Sequence, residues 1–382
     1  MQGQYLHLYN QSLTSPIYVQ DMSGQVKNFR HGTRAHGGYY RATFSFPADL
    51  TTFWDWYLNK TLYRVVLEDK PGSAIWQGRV EDVQFQRNML SIVAFGYWKA
   101  FQDRVVELGS TKAYAAQLAS TIVQDIRDNY TNAGIFSSDN TQIESPGVNL
   151  TVTYEDKNGW DLLTNTSDGV ANSTDSAGNP YFLMVYKELK TAKALVHFKK
   201  RSTSLINWQI SLADLAQPPP MRGPLSTIVN SVSVTYTVSG TAARTTITTD
   251  ADSIAKYGQR DLILPGLGEM NAATANNRRD RVLADFKEKR AELAGGVEIA
   301  RLFDVEGAEY PLCRLKAGDI IRIQDMIPTG IKIDQLVLDG LRTFMVRETD
   351  CDHRASTVTA WLDTEDQSAP RLLAQATRRP LT

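Results

Sequence analysis

Thr349-Asp350-Cys351-Asp352-His353-Arg354 places two carboxylates and an imidazole within six residues. Oxygen and imidazole donors of this kind can ligate a divalent metal. The segment also joins two strand-like runs, where Asp and His are ordinary turn residues, and the turn is the reading adopted for Asp350, Asp352 and His353. A second oxygen-rich set, Asp168, Asn172, Asp175 and Asn179, lies in a Ser/Gly-rich stretch. It lacks the alternating ligands and sixth-position glycine of an EF-hand, so no calcium site is expected. Cys313 and Cys351 are the only cysteines. Two cysteines far apart are no disulfide framework. In a chain read as cytosolic, they are expected to stay unbonded.

No phosphate-binding Walker loop, dinucleotide-binding glycine fingerprint, His-Glu-x-x-His, Cys-x-x-Cys or Gly-x-Ser-x-Gly elbow occurs. His7, His31, His36, His197 and His353 are dispersed. Carboxylate pairs for glycoside hydrolysis are defined by spatial separation, so 42 acidic residues carry no signal by themselves. No catalytic, cofactor-binding or metal-ligating residue is assigned, no cofactor is expected, and the chain is expected not to be an enzyme.

The 382 residues suggest two or three domains, each able to bury a core. A net charge of −1 lacks the basic excess of a sequence-independent nucleic-acid binder. No run approaches the roughly 20 apolar residues of a membrane helix. The start, Met1-Gln2-Gly3-Gln4-Tyr5, has neither the basic nor the apolar region of a signal peptide. Synthesis and use without export by the secretory route, and no membrane anchoring, are the expectations.

The elements that would position any chemistry are mostly strands. Tyr63–Asp69, a Lys70-Pro71-Gly72-Ser73 turn and Ala74–Val83 read as a hairpin whose return strand is broken by Gly78. Similar grammar returns in Leu315–Asp325, Arg342–Arg347 and Thr357–Leu362. Tyr39–Phe46 alternates Phe44 and Phe46 to one face, and Pro47 ends it. Leu50, Phe53, Trp54, Tyr57 and Leu58 form an apolar helical stripe, expected to pack on the strands rather than cage a ligand.

Further along, Ser110 or Thr111 would cap a helix carrying Tyr114, Leu118, Ile122 and Ile126. Strands are expected at Val148–Tyr154, Tyr181–Tyr186, Ala194–Phe198 and Ile206–Leu212. A linker is read at Pro218-Pro219-Pro220 and Gly223-Pro224. Val232–Val238 and Arg244–Thr248 flank a turn at Ser239-Gly240-Thr241. A helix over 270–294 ends at Gly295-Gly296. The expected organisation is α+β, mainly β: a first tube-like β-barrel in 1–105 and a middle α+β domain in 106–224 with 250–296 packed on it. A second barrel comes from 225–249 and 297–363, and a loose tail occupies 364–382.

Four segments carry a family resemblance: Ile75-Trp76-Gln77-Gly78-Arg79-Val80 with its return Ala94-Phe95-Gly96-Tyr97-Trp98; Tyr257-Gly258-Gln259-Arg260 ahead of the 270–294 helix; Leu315-Lys316-Ala317-Gly318-Asp319-Ile320-Ile321; and Thr343-Phe344-Met345-Val346. In order and spacing, over residues 15–363, the chain resembles the tail-hub (baseplate hub) proteins of tailed bacteriophages and related particles. The resemblance implies two tail-tube-like barrels and a homotrimer presenting a pseudo-sixfold ring to a sixfold tail tube. It implies a place in the virion at the tail tip, after synthesis in the host cytoplasm. The partners it implies are the tail tube or distal tail protein, a central fibre or spike and the tape measure protein, with DNA passing through the lumen unbound. The sequence ends soon after the second barrel, so a lysin or adhesin would be a separate protein. Two alternatives remain: a receptor- or carbohydrate-binding baseplate module, supported by seven Trp and sixteen Tyr, and a tail-associated cell-wall hydrolase.

Overall fold

Alternating burial along the strands builds the largest part of this molecule. On the strand Lys27–Arg34, Phe29, His31 and Thr33 point inward, while Asn28, Arg30 and Gly32 do not. The computed structural model describes residues 5–12, 15–70, 73–147, 149–164, 170, 173, 175, 181–187, 189, 192–200, 205–219, 221–222, 228–264, 271–287, 292–293, 295–326, 343–355 and 357–363. The expected tail 364–382 lies outside the described residues.

The first segment contains β1 (Tyr5–Tyr9), β2 (Tyr18–Asp21), β3 (Lys27–Arg34), β4 (Gly37–Pro47), α1 (Leu50–Asn59), β5 (Arg64–Lys70), β6 (Ser73–Gln86) and β7 (Met89–Phe95). The middle contains β8 (Thr111–Leu118), α2 (Ala119–Asn129), β9 (Asn149–Glu155), α3 (Gly159–Thr164), β10 (Tyr181–Tyr186), β11 (Leu195–Lys200) and β12 (Trp208–Ser211). Then come β13 (Met221–Arg222), β14 (Ser231–Val238), β15 (Thr241–Arg244), β16 (Thr248–Thr249), α4 (Ala251–Tyr257), β17 (Asp261–Leu264), α5 (Ala272–Phe286) and β18 (Glu292–Leu293). The last are β19 (Gly296–Ile299), β20 (Leu302–Phe303), β21 (Glu309–Tyr310), β22 (Ile320–Gln324), β23 (Thr343–Asp352) and β24 (Val358–Asp363).

The chain is mainly β, with one large sheet ordered β12-β22-β23-β3-β4-β7-β6-β5-β1-β2. β10 joins β4 in parallel and carries β11, while β24 joins β23 and carries β19. Among the described residues this ladder runs open from β12 to β2 and closes no barrel. β23 unites the two ends of the sequence. Its first residues pair with β22, its last with β3, and β24 runs along its other edge. One apolar core lies beneath, from Leu6 and Trp76 to Ile321 and Val358.

Two further large cores stand apart, besides a small cluster of Tyr9, Val66 and Ala74. The first gathers Phe101, Ile122, Ile126, Leu163, Leu183 and Phe198 from the middle segment. The second gathers Val232, Val234, Leu262, Leu264, Leu283 and Phe286, where α5 packs on β14 and β16. The β14–β15 hairpin, expected to share a barrel with 297–363, lies here in its own sheet with β16 and β17. Val232 and Val234 are covered by the helix, so this face is already occupied.

The helix expected from Ser110 or Thr111 begins at Ala119 instead. Thr111–Leu118 is a strand, because β9 supplies it with an antiparallel partner. Ala116 takes a positive φ of 50° where the register shifts, which a helix would not permit. Leu118 is an exposed cap, and only Ile122 and Ile126 of the four-residue series are in the helix.

Candidate functional site

The seam between β3 and β23 is where the termini-proximal halves of the chain meet, and it holds most of the residues with chemical potential. The register pairs Arg34 with Glu348, Thr33 with Thr349, Gly32 with Asp350, His31 with Cys351 and Arg30 with Asp352. On the outer face, Arg34 meets Glu348 at 3.0 Å, and Arg30 reaches Asp350 at 3.4 Å and Asp352 at 3.5 Å. Asp350 and Asp352 are therefore strand residues in cross-strand ion pairs. Only His353 and Arg354 of that segment are in the turn that follows. On the inner face, the Thr33 and Thr349 hydroxyls are 2.7 Å apart, and the Ala317 amide donates to Thr33 at 2.7 Å. Of the second oxygen-rich set, Asp175 faces Lys200 at 3.6 Å; Asp168, Asn172 and Asn179 lie outside the described residues.

Below the seam, four side chains converge that the sequence does not group. Cys351 and His353 are two residues apart on one face of the chain, and His31 is the cross-strand partner of Cys351. Cys313 comes from a 3-10 turn, Leu312–Arg314. His31 Nδ1 lies 3.0 Å from His353 Nε2, and Cys313 Sγ lies 3.7 Å from the same nitrogen. One ligand atom from each of the four lies within 4.8 Å of every other. His31, Cys313 and Cys351 are buried, and Phe29 packs edge-on against His353 at 4.9 Å. Burial holds the His31 imidazole well below its usual pKa, the neighbouring His353 adding to the effect while the Cys313 backbone opposes it. Burial likewise brings His353 down to about 4.

The cysteines expected to remain unbonded are joined, with Cα atoms 5.8 Å apart. The expectation rested on compartment and sequence separation, neither of which reports that the fold sets the Leu312–Arg314 turn against Cys351 of β23. The signal available in the sequence was Cys351-Asp352-His353, an i, i+2 pair that spans the end of a strand and the turn after it. Beside the cluster, Arg314 forms an ion pair with Asp69, whose side chain is 6% exposed, tying the same turn to β5.

The outer surface offers a different chemistry. Asp49 caps α1, accepting from the Thr52 amide at 2.7 Å. Trp56 is fully buried, its ring 5.5 Å from Phe46, and Phe53 stacks towards Phe85 of β6 at 6.0 Å. These two fix the inward side. Leu50, Trp54, Tyr57 and Leu58 consequently face outward, with Leu58 68% exposed and Trp54 48% exposed. The apolar stripe was expected to pack on the strands; most of it faces solvent. Periodicity reveals a stripe, whereas the side it faces is decided by the residue that inserts, here Trp56. At the sheet's open end, Tyr18 and Val19 of the edge strand β2 are also exposed.

No family model and no curated protein matches this chain in sequence. Its fold does match solved structures. The 43 kDa tail protein of prophage MuSo2 from Shewanella oneidensis superposes with a TM-score of 0.54 at 12% identity, over 95% of this chain and 99% of the other. This is the fold of phage tail proteins. A tail protein from Neisseria meningitidis MC58 gives 0.56 at 11% identity, over 95% and 97% of the two chains. Prophage tail protein gp18 from Listeria monocytogenes EGD-e gives 0.51 at 11% identity, over 98% and 100%. The tail-protein fold therefore extends over nearly all of this chain. Among the described residues, no helix is long and apolar enough to cross a membrane.

Proposed function

We propose that this chain is a structural tail-hub protein that assembles as a trimer at the distal end of a phage tail. The observation that carries the reading is the outward apolar face of α1, on a chain with a tail-protein fold over nearly all of its length. Four large apolar side chains on a ten-residue helix are a contact surface awaiting a partner. A second copy of the chain is the occupant that a ring requires. The open strand β2 gives a further junction, since an unpaired edge is stabilised by pairing with a neighbour.

In this reading, β1–β7 and the set β19 with β22–β24 are two barrel-like halves fused through the β3–β23 seam. Three chains then present six halves to a sixfold tube, while threefold symmetry remains for a central fibre or spike. The tail tube or distal tail protein and the tape measure protein are the remaining neighbours, and DNA crosses the lumen unbound. Pairing Arg30 and Arg34 with carboxylates of β23 mutes their attraction for phosphates, as a conduit demands. The role is non-catalytic and resides in the virion tail tip, after synthesis in the host cytoplasm.

A carbohydrate-binding baseplate module is the second reading, favoured by the exposed pair Trp54 and Tyr57, whose ring centroids lie 5.8 Å apart. Mass photometry of the purified chain beside its Trp54→Glu variant separates them. The hub reading expects a trimer that the substitution dissociates. A monomer in both, with glycan binding lost in the variant, supports the second reading instead.

A further inference from the structure

We propose that the reduced form of this chain binds one zinc ion through His31, Cys313, Cys351 and His353. The ligand set shares only His353 with the carboxylate cluster evident in the sequence. Two thiolates and two imidazoles are donors suited to a tetrahedral zinc centre. With Zn–S near 2.3 Å and Zn–N near 2.0–2.1 Å, tetrahedral ligand atoms stand roughly 3.3–3.8 Å apart. The 3.0 Å separation of the two imidazole nitrogens and the 3.7 Å separation of Cys313 Sγ from His353 Nε2 are close to those edges. The sulfurs would stand about 3.8 Å apart in such a centre. Cα atoms at 5.8 Å allow this by side-chain rotation.

Charge and scaffold agree with the ligand count. Zinc with two thiolates and two neutral imidazoles carries no net charge, which suits a site with three of its four ligands buried. His31 is positioned by β3, and Cys351 by the strand paired to it. The Cys313 backbone favours the protonated His31 ring, a polar influence of the kind that orients metal-bound histidines. Binding to the dithiol forms two Zn–S and two Zn–N bonds and releases two thiol protons, with no change in oxidation state. The disulfide and the zinc centre are alternative states of one cysteine pair. The disulfide links Cys313 to Cys351, 38 residues apart, whereas zinc would also tie in His31 of β3, 322 residues from His353.

The test uses the full chain, expressed in a cytosol and purified under a thiol reductant. Zinc is measured by plasma mass spectrometry, and cobalt(II) is then exchanged into the protein. The expected results are one zinc per chain and the intense visible bands of tetrahedral thiolate-bound cobalt. Cys313→Ser should lower the zinc content at least tenfold. If that variant fails to fold, the wild-type cobalt spectrum decides alone. Oxidation with a diazene reagent should expel the metal: the two thiolates lose two electrons and join in an S–S bond, and the reagent's N=N bond takes those electrons and two protons from water to become a hydrazine. Reduced wild-type protein without stoichiometric zinc, an octahedral cobalt spectrum, or zinc fully retained by Cys313→Ser would overturn the proposal.

Discussion

Trp54 and Trp56 are two residues apart on one short helix and face opposite environments. Trp56 is buried against Phe44 and Phe46, so Trp56→Ala should cost about 3–5 kcal/mol of stability, measured by urea unfolding. Trp54→Ala removes an outward ring and should change monomer stability by no more than about 0.5 kcal/mol. Equal losses at the two positions would contradict the orientation of α1. Lys187 supplies a pH signature. It is buried, and its ammonium donates to the Leu189 carbonyl at 2.6 Å and to that of Ala192. Burial, reinforced by the positive charge of Arg64, brings its pKa down to about 7. The unfolded chain holds that proton to about 10.4. Between these values the unfolded state binds more protons, so Lys187 makes stability rise with pH from 7 towards 10 and fall on the return. Lys187→Met should flatten that part of the profile, read as urea midpoints at pH 7 and pH 9. An unchanged slope would refute the assignment.

At the scale of elements, long alternating strands were legible because burial and sequence share a period of two. The hairpin read at Tyr63–Val83 is β5–β6, and the strand read at Tyr39–Phe46 is β4, ended at Pro47. The helix over 270–294 appears as α5, Ala272–Phe286. Thr111–Leu118 was not legible, since its apolar residues fit a helical period and only the distant β9 makes it a strand. The Cys–His cluster was illegible for the same reason: His31 and Cys351 become neighbours through a pairing across almost the whole chain. Close backbone approach at Gly96 was equally hidden. A Cβ there would lie 1.6 Å from the Tyr39 carbonyl oxygen, so Gly96→Ala must displace β4 from the turn that follows β7. A loss of at least about 2 kcal/mol is expected in urea unfolding; a neutral result would show that the junction yields easily. On the edge strand β2, Val19→Lys should leave the monomer's melting temperature unchanged and weaken assembly, because a charge on an open edge blocks strand addition. A lowered melting temperature without loss of assembly would assign Val19 to the core instead.

At the scale of the molecule, one large sheet is built from both ends of the chain, and the outward α1 side chains and β2 residues Tyr18 and Val19 are exposed. The seam ion pairs and the inner threonine contact join its two strand sets. Arrangement of charge matters here more than its total, because 41 basic and 42 acidic residues nearly cancel. The proposed assembly is a threefold ring. Electron microscopy of the purified full chain at assembly concentration tests it most directly. The expected result is class averages of a threefold ring with an axial hole and six similar lobes; folded monomers, or rings of another order, would contradict the hub assembly.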